Sequence, residues 1–160
     1  MIFKVSLFLH VLAAIFWIGG MLFLSLVVAP FLRSFDDPAK KSEIYQAVGK
    51  RYRFLGWVAI GILLITGPVN FYYIGVTPSM FFDADFYGTP YGKTVALKLL
   101  FVFLIVVSSL VHDFWLGPKA RGSAGYSRIA MIFGRGNLLL ALIIVIFAVM
   151  LRAAWLLPAP

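Results

Sequence analysis

Cysteine is absent from all 160 residues. That excludes disulfides, thiolate metal centres and cysteine nucleophiles. Charge is also scarce: Asp, Glu, Lys and Arg make up 12% of the chain, against about 25% in a soluble domain. So little charge cannot cover a globule with polar surface. The composition therefore argues against a soluble enzyme, a disordered segment and a nucleic-acid-binding domain. Acidic residues are the scarcer sign, six against fourteen basic ones, for a formal charge of +8. No pair of acidic residues falls inside an apolar run, which disfavours a carboxylate proton relay. No Ser-His-Asp constellation, P-loop or dinucleotide fingerprint occurs.

What the chain has is apolar length. Hydrophobic residues make up 62% and aromatics 17%, and the mean hydropathy is +0.99. A transmembrane helix needs roughly 20 mostly apolar residues, and four stretches qualify, at about 2–29, 54–75, 94–112 and 138–157. None alternates polar and apolar residues as barrel strands do. The expectation is an all-α, integral membrane four-helix bundle, with residues 1–160 forming a single transmembrane domain. The first run starts after Lys4 as a cleaved signal would, but it continues past a normal signal core through His10 and Trp17 and reads as a retained helix. Pro30 is expected to close it, and Gly117-Pro118 to follow the end of the third helix.

Basic residues set the orientation. The loop 30–53 holds Arg33, Lys40, Lys41, Lys50, Arg51 and Arg53, and the loop 113–137 holds Lys119, Arg121, Arg128 and Arg135. Only Lys4 and Lys93 fall on the other side. Under the positive-inside rule, both basic loops face the cytoplasm and both termini face outward. The protein then belongs in the inner membrane as a multi-pass protein. Its +8 charge reads as a topology signal and an attraction to anionic lipid, with no nucleic acid needed. Residues 33–53 mix charge with helix formers and suggest a short helix leading into the second span. The aromatic, acidic loop 76–93 suits the outer interface, as a connector or as a cap over a site.

Ionisable groups inside a span are costly and mark candidate sites. His10 lies roughly 9–10 Å below the outer end of helix one, while Lys98 and Arg152 lie roughly 7–8 Å below the outer ends of their helices. An imidazole and two cations at one depth, without a carboxylate, call for an anion. Haem b meets that demand: His10 would be an axial ligand, with Lys98 and Arg152 against the propionates. A quinone oxygen or a small oxyanion would also fit, and snorkelling of the two cations to the headgroups is the structural alternative. His112 sits near the inner end of helix three, roughly 20 Å from His10 along the normal. One haem in a monomer cannot join the two histidines. His112 is either paired with Asp113 or a backbone carbonyl, or is a second metal or haem ligand. Lys98, Ile105 and His112 recur every seven residues, giving helix three a weakly polar face directed inward.

Copper is the other candidate. Cu(I) favours thioether and imidazole once thiolate is gone, so the donors are Met1, Met21, Met80, Met131, Met150 and the two histidines. These methionines form no cluster in sequence, and Met21 is about 16 Å from His10 along the helix. Trp17 lies on the His10 face, and Ala13, Ala14, Gly19 and Gly20 allow a close helix approach. Gly67-Pro68 should bend helix two and leave room beside His10.

The run Leu9-His10 through Trp17-Ile18-Gly19-Gly20, the basic Lys50-Arg51-Tyr52-Arg53 and Lys98 in helix three resemble the copper-resistance protein D (CopD-like) membrane family. They are also similar to the related HemJ-type protoporphyrinogen oxidases, in which His and Lys in corresponding helices are associated with haem. The resemblance spans all four helices. It implies functional roles for His10, Trp17, Arg53 and Lys98. The continuation into Ala29-Pro30 and the segment from Val111 to Pro118 depart from the oxidase pattern and favour the CopD-like branch. Three functions are in view: a b-type haem or similar redox centre for electron transfer or a small oxidation; copper movement across the inner membrane; and a non-catalytic accessory subunit. The lipid bilayer is the sure partner. Subunits of a larger membrane complex, or further copies of the chain, are the others.

Overall fold

In the computed structural model, residues 1–120 and 123–156 are described, with side chains left aside at 38, 124 and 154–156. Arg121, expected in the second basic loop, and Leu157, expected to end the fourth helix, lie outside them. The described residues are helical without strands. Four long helices carry the chain: α1 (Ile2–Arg33), α2 (Pro38–Tyr73), α3 (Pro90–Ala120) and α4 (Ala124–Leu156). All four are long and apolar enough to cross a membrane. The all-helical, four-span fold expected from composition is therefore present.

The helices run further than hydropathy suggests, for identifiable reasons. Proline lacks an N–H and its ring presses on the carbonyl four residues back. Pro30 does not stop α1, because residues Leu24–Val28 open into a widened π turn in which the Ala29 N–H reaches back to the Leu24 carbonyl. The same device carries α3 past Pro118: Val111–Leu116 form a π turn, and the Gly117 N–H reaches the His112 carbonyl. Leu26 and Phe114, whose carbonyls the two prolines would crowd, both lie inside these turns. α2 starts early because Asp37 caps it, its Oδ1 accepting from the Ala39 N–H at 2.8 Å, with Pro38 preorganised at the first position. Most of the expected loop 30–53 is thus the start of α2, and α4 likewise takes in much of 113–137.

Two compact units divide the chain, Met1–Val76 and Thr77–Pro160. In the first, α1 and α2 pack antiparallel, and α2 ends on Gly75, whose φ of +84° suits glycine. In the second, the aromatic segment folds into short turns (Pro78–Phe82 and Ala84–Gly88) ahead of α3. Thr89 joins turn to helix, donating to the Phe86 carbonyl at 2.7 Å and accepting from the Gly92 N–H at 3.0 Å. A side chain at Gly92 would collide with that Phe86 carbonyl. Both units bury few large side chains. Phe8, Ile65, Phe103 and Val149 stand more than half exposed, as expected where lipid tails are the solvent.

Candidate functional site

The α1–α2 seam in the first unit is built from positions spaced three or four apart. Ser6, His10, Ala13, Trp17 and Gly20 line one face of α1, and Ser6, Ala13 and Trp17 are buried. Towards the C-terminal end of α1, Gly20 lies against the Tyr52 ring, and the Tyr52 hydroxyl donates to the Trp17 carbonyl at 2.5 Å. One turn further along α2, Gly56 leaves space that a side-chain carbon would fill at 3.7 Å from the Trp17 indole. The small residues read as close-approach sites in α1 thus receive the large side chains of α2, and the reverse holds for Trp17.

Towards the N-terminal end of α1, the same seam holds His10. Thr66 is 7% exposed, and its hydroxyl donates to the Ile62 carbonyl at 2.6 Å. A hydroxyl has one proton, so towards His10 Thr66 can only accept. His10 Nδ1 lies 2.8 Å from that oxygen and must therefore carry the proton. In the neutral ring Nε2 is then the lone-pair nitrogen, the arrangement found in metal-bound histidines. The ring edge faces Gly67, where an added Cβ would stand 3.8 Å from His10 Cε1, in ordinary van der Waals contact. Ser6 makes a long 3.5 Å contact to the Thr66 carbonyl. One turn beyond Thr66, the buried Asn70 Oδ1 has no hydrogen-bond partner among the described residues.

The other expected site residues fall in different places. Trp17 shares the seam with His10, roughly 10 Å along α1. Arg53 is half-buried in α2 and lies roughly 20 Å along that helix from Thr66. In the second unit, Phe101 meets Phe147 with ring centroids 5.5 Å apart, Asn137 donates to Ser109 at 3.3 Å, and His112 faces Gly134. Extending this antiparallel register puts Lys98 at the level of Val149 and Met150, with Arg152 within roughly one turn. Lys98 is half-buried and Arg152 is exposed. The polar face expected on α3 does turn to α4: Ile105 is 1% and Ser109 6% exposed.

His112 pairs with its neighbour, Nδ1 lying 2.7 Å from Asp113 Oδ1. Further along α3, Lys119 Nζ stands 4.0 Å from the Trp115 ring centroid, which gives this basic residue a packing role. Hydropathy reading missed Thr66, Asn70 and Asn137 because it searched the spans for ionisable groups only. A cheap signal was available. Gly67 and Asn70, and again Gly134 and Asn137, form the same Gly-x-x-Asn spacing opposite a histidine. Among the described residues, no three or more His, Asp, Glu or Cys side chains gather as a metal-binding group.

Residues 46–156 match the family model for copper resistance protein D. An uncharacterized protein of Aquifex aeolicus (strain VF5) is 41% identical over 155 residues, covering 95% of this chain and 96% of that protein. No solved structure matches the chain.

Proposed function

The chain belongs to the copper resistance protein D family, and on that footing we propose that this multi-pass inner-membrane protein holds a b-type haem or similar redox centre at His10. Its role is electron transfer or a small oxidation. The observation that supports this is the fixed His10 tautomer, with Thr66 holding the proton on Nδ1. A haem brings its own equatorial nitrogens and asks the protein mainly for an axial imidazole. A protein-only copper site asks for several donors together, and without cysteine these would be methionine thioethers beside the imidazole. When bound, haem supplies one-electron chemistry at iron. The chain's part is to present Nε2, keep the ring from turning, and exclude water within an apolar span. Lys98 and Arg152 are assigned to the propionates by their depth in their own spans, and Trp17 is assigned to the same α1–α2 seam as His10.

A visible spectrum tests the proposal. Protein produced with haem supplied should show a Soret band, and His10→Ala should lose it or strip its low-spin character. A preparation without the band, or a band indifferent to His10→Ala, rejects it. The family description favours a second reading, copper movement across the membrane. That reading expects copper uptake or tolerance that depends on His10 or Met80. Uptake unchanged when the protein is deleted removes it.

A further inference from the structure

The region where α3 passes into α4 carries a cation that the His10 proposal does not use. Lys119 Nζ stands 4.0 Å from the Trp115 ring centroid and 5.5 Å from that of Tyr126. The two rings meet edge to face, with centroids 6.3 Å apart. One ammonium is thus held against two aromatic side chains from different helices. The fold does not ask for this arrangement. α1 passes Pro30 by the same kind of π turn that carries α3 past Pro118. Counted from the two prolines, Val27 stands where Trp115 does, and Phe31 where Lys119 does. Phe31 packs on Phe35, with centroids 5.1 Å apart, so apolar residues serve at the equivalent place in α1.

Depth and charge narrow what that ammonium meets. From Pro90 to Lys119 the helix rises roughly 44 Å, about the thickness of a bilayer with its headgroups. With Pro90 in one headgroup layer, Lys119 stands in the other, the level that interfacial Trp and Tyr also favour. Trp115 is 54% and Ile129 43% exposed, which leaves apolar surface for acyl chains beside the cation. Countercharge from the chain is scarce. No Asp or Glu occurs from Phe114 to Pro160, and Asp113, the last acidic residue, is engaged with His112 at 2.7 Å. The basic segment 30–53, by contrast, carries Asp36, Asp37 and Glu43 among its cations. A zwitterionic lipid would bring its own ammonium, for which this region has no carboxylate to spare. We infer that Trp115, Lys119 and Tyr126 form a site for the headgroup phosphate of an anionic phospholipid. Lys119 pairs with the phosphate, and the two rings fix the ammonium at headgroup depth. The inference does not rest on the His10 proposal.

Native mass spectrometry of the full chain, offered equal amounts of phosphatidylglycerol and phosphatidylcholine, tests this. Phosphatidylglycerol should be retained in preference. Lys119→Gln should weaken that retention by roughly fivefold, and Lys119→Arg should keep it. Trp115→Leu leaves the charge in place but frees the ammonium, and should weaken retention by roughly threefold. Lys40→Gln, in the other basic segment, should change nothing. Should a variant fail to fold, the unmodified chain in nanodiscs decides, with a phosphatidylglycerol that carries a photoreactive headgroup. Its cross-links should concentrate within residues 115–126. Equal retention of the two lipids overturns the inference. So does an equal loss with Lys40→Gln, no loss with Trp115→Leu, or cross-links gathered in 40–53 or spread evenly along the chain. Displacement of the lipid by inorganic phosphate would also overturn it, since the site would then be one for a free anion.

Discussion

A threonine hydroxyl decides what His10 can do. Thr66 commits its proton to Ile62, puts the His10 proton on Nδ1, and so leaves the lone pair of the neutral ring on Nε2, the atom proposed to take the haem iron. Groups that hydrogen-bond the far nitrogen of a ligating histidine set its basicity and orientation, and their loss typically costs roughly 10–100-fold in metal affinity or activity. Thr66→Val keeps the shape but removes the acceptor. In haem-loaded protein it should loosen the ring, weaken haem retention by roughly tenfold or more and shift the iron reduction potential. Thr66→Ser should restore both. A potential identical in Thr66→Val and the parent would show that the threonine serves packing only. Sequence reading found His10, because an imidazole within an apolar run is conspicuous. It missed Thr66, because a hydroxyl bonded to its own helix is ordinary in a transmembrane span and shows its role only when the neighbouring helix is seen.

Helix pairing rests on exchanges of large for small side chains. Gly20 makes room for the Tyr52 ring, and the Tyr52 hydroxyl then reaches the Trp17 carbonyl at 2.5 Å. A methyl at Gly20 would overlap that ring, so Gly20→Ala should push Tyr52 aside, break the hydrogen bond and cost about 1–3 kcal/mol. Tyr52→Phe loses only the hydrogen bond, about 1 kcal/mol. In the double variant the two costs should not add, because both act through one contact. Unfolding in detergent titrated with denaturant would measure all three, and strict additivity would refute the coupling. The spans were readable in outline from hydropathy, and the small-residue face of α1 was readable from Ala13 and Gly20. Helix ends were not. Proline signals a stop in sequence, yet Pro30 and Pro118 are each absorbed by a π turn, and hydropathy carries no trace of that. The charged start of α2 was only partly legible, since Asp37-Pro38 is a strong cap but the residues after it are polar.

For the whole molecule, the distribution of charge carries the orientation. Ten basic residues fall in the segments after the first and third spans and two in the other tails and loops. Translocating such clusters is disfavoured whatever the chain binds. The orientation proposed is therefore both termini outside, with the start of α2 and the link between α3 and α4 in the cytoplasm. The lack of cysteine makes this directly testable, since any thiol introduced is unique. Ser79 lies in the aromatic segment before α3, Ser42 in the first turns of α2 and Ser127 near the start of α4, and all three are exposed. In intact spheroplasts, Ser79→Cys should react with a membrane-impermeant maleimide. Ser42→Cys and Ser127→Cys should react only after the membrane is permeabilised. The reverse pattern would invert the topology and put His10 near the cytoplasmic face. Labelling of Ser42→Cys and Ser127→Cys from opposite sides would mean that the chain does not cross four times. If the expected pattern holds, His10 opens towards the outer leaflet and His112 lies towards the cytoplasmic end of α3. Any oxidation at His10 would then draw on substrates outside the cell membrane, and the basic inner segments would be left to hold anionic lipid.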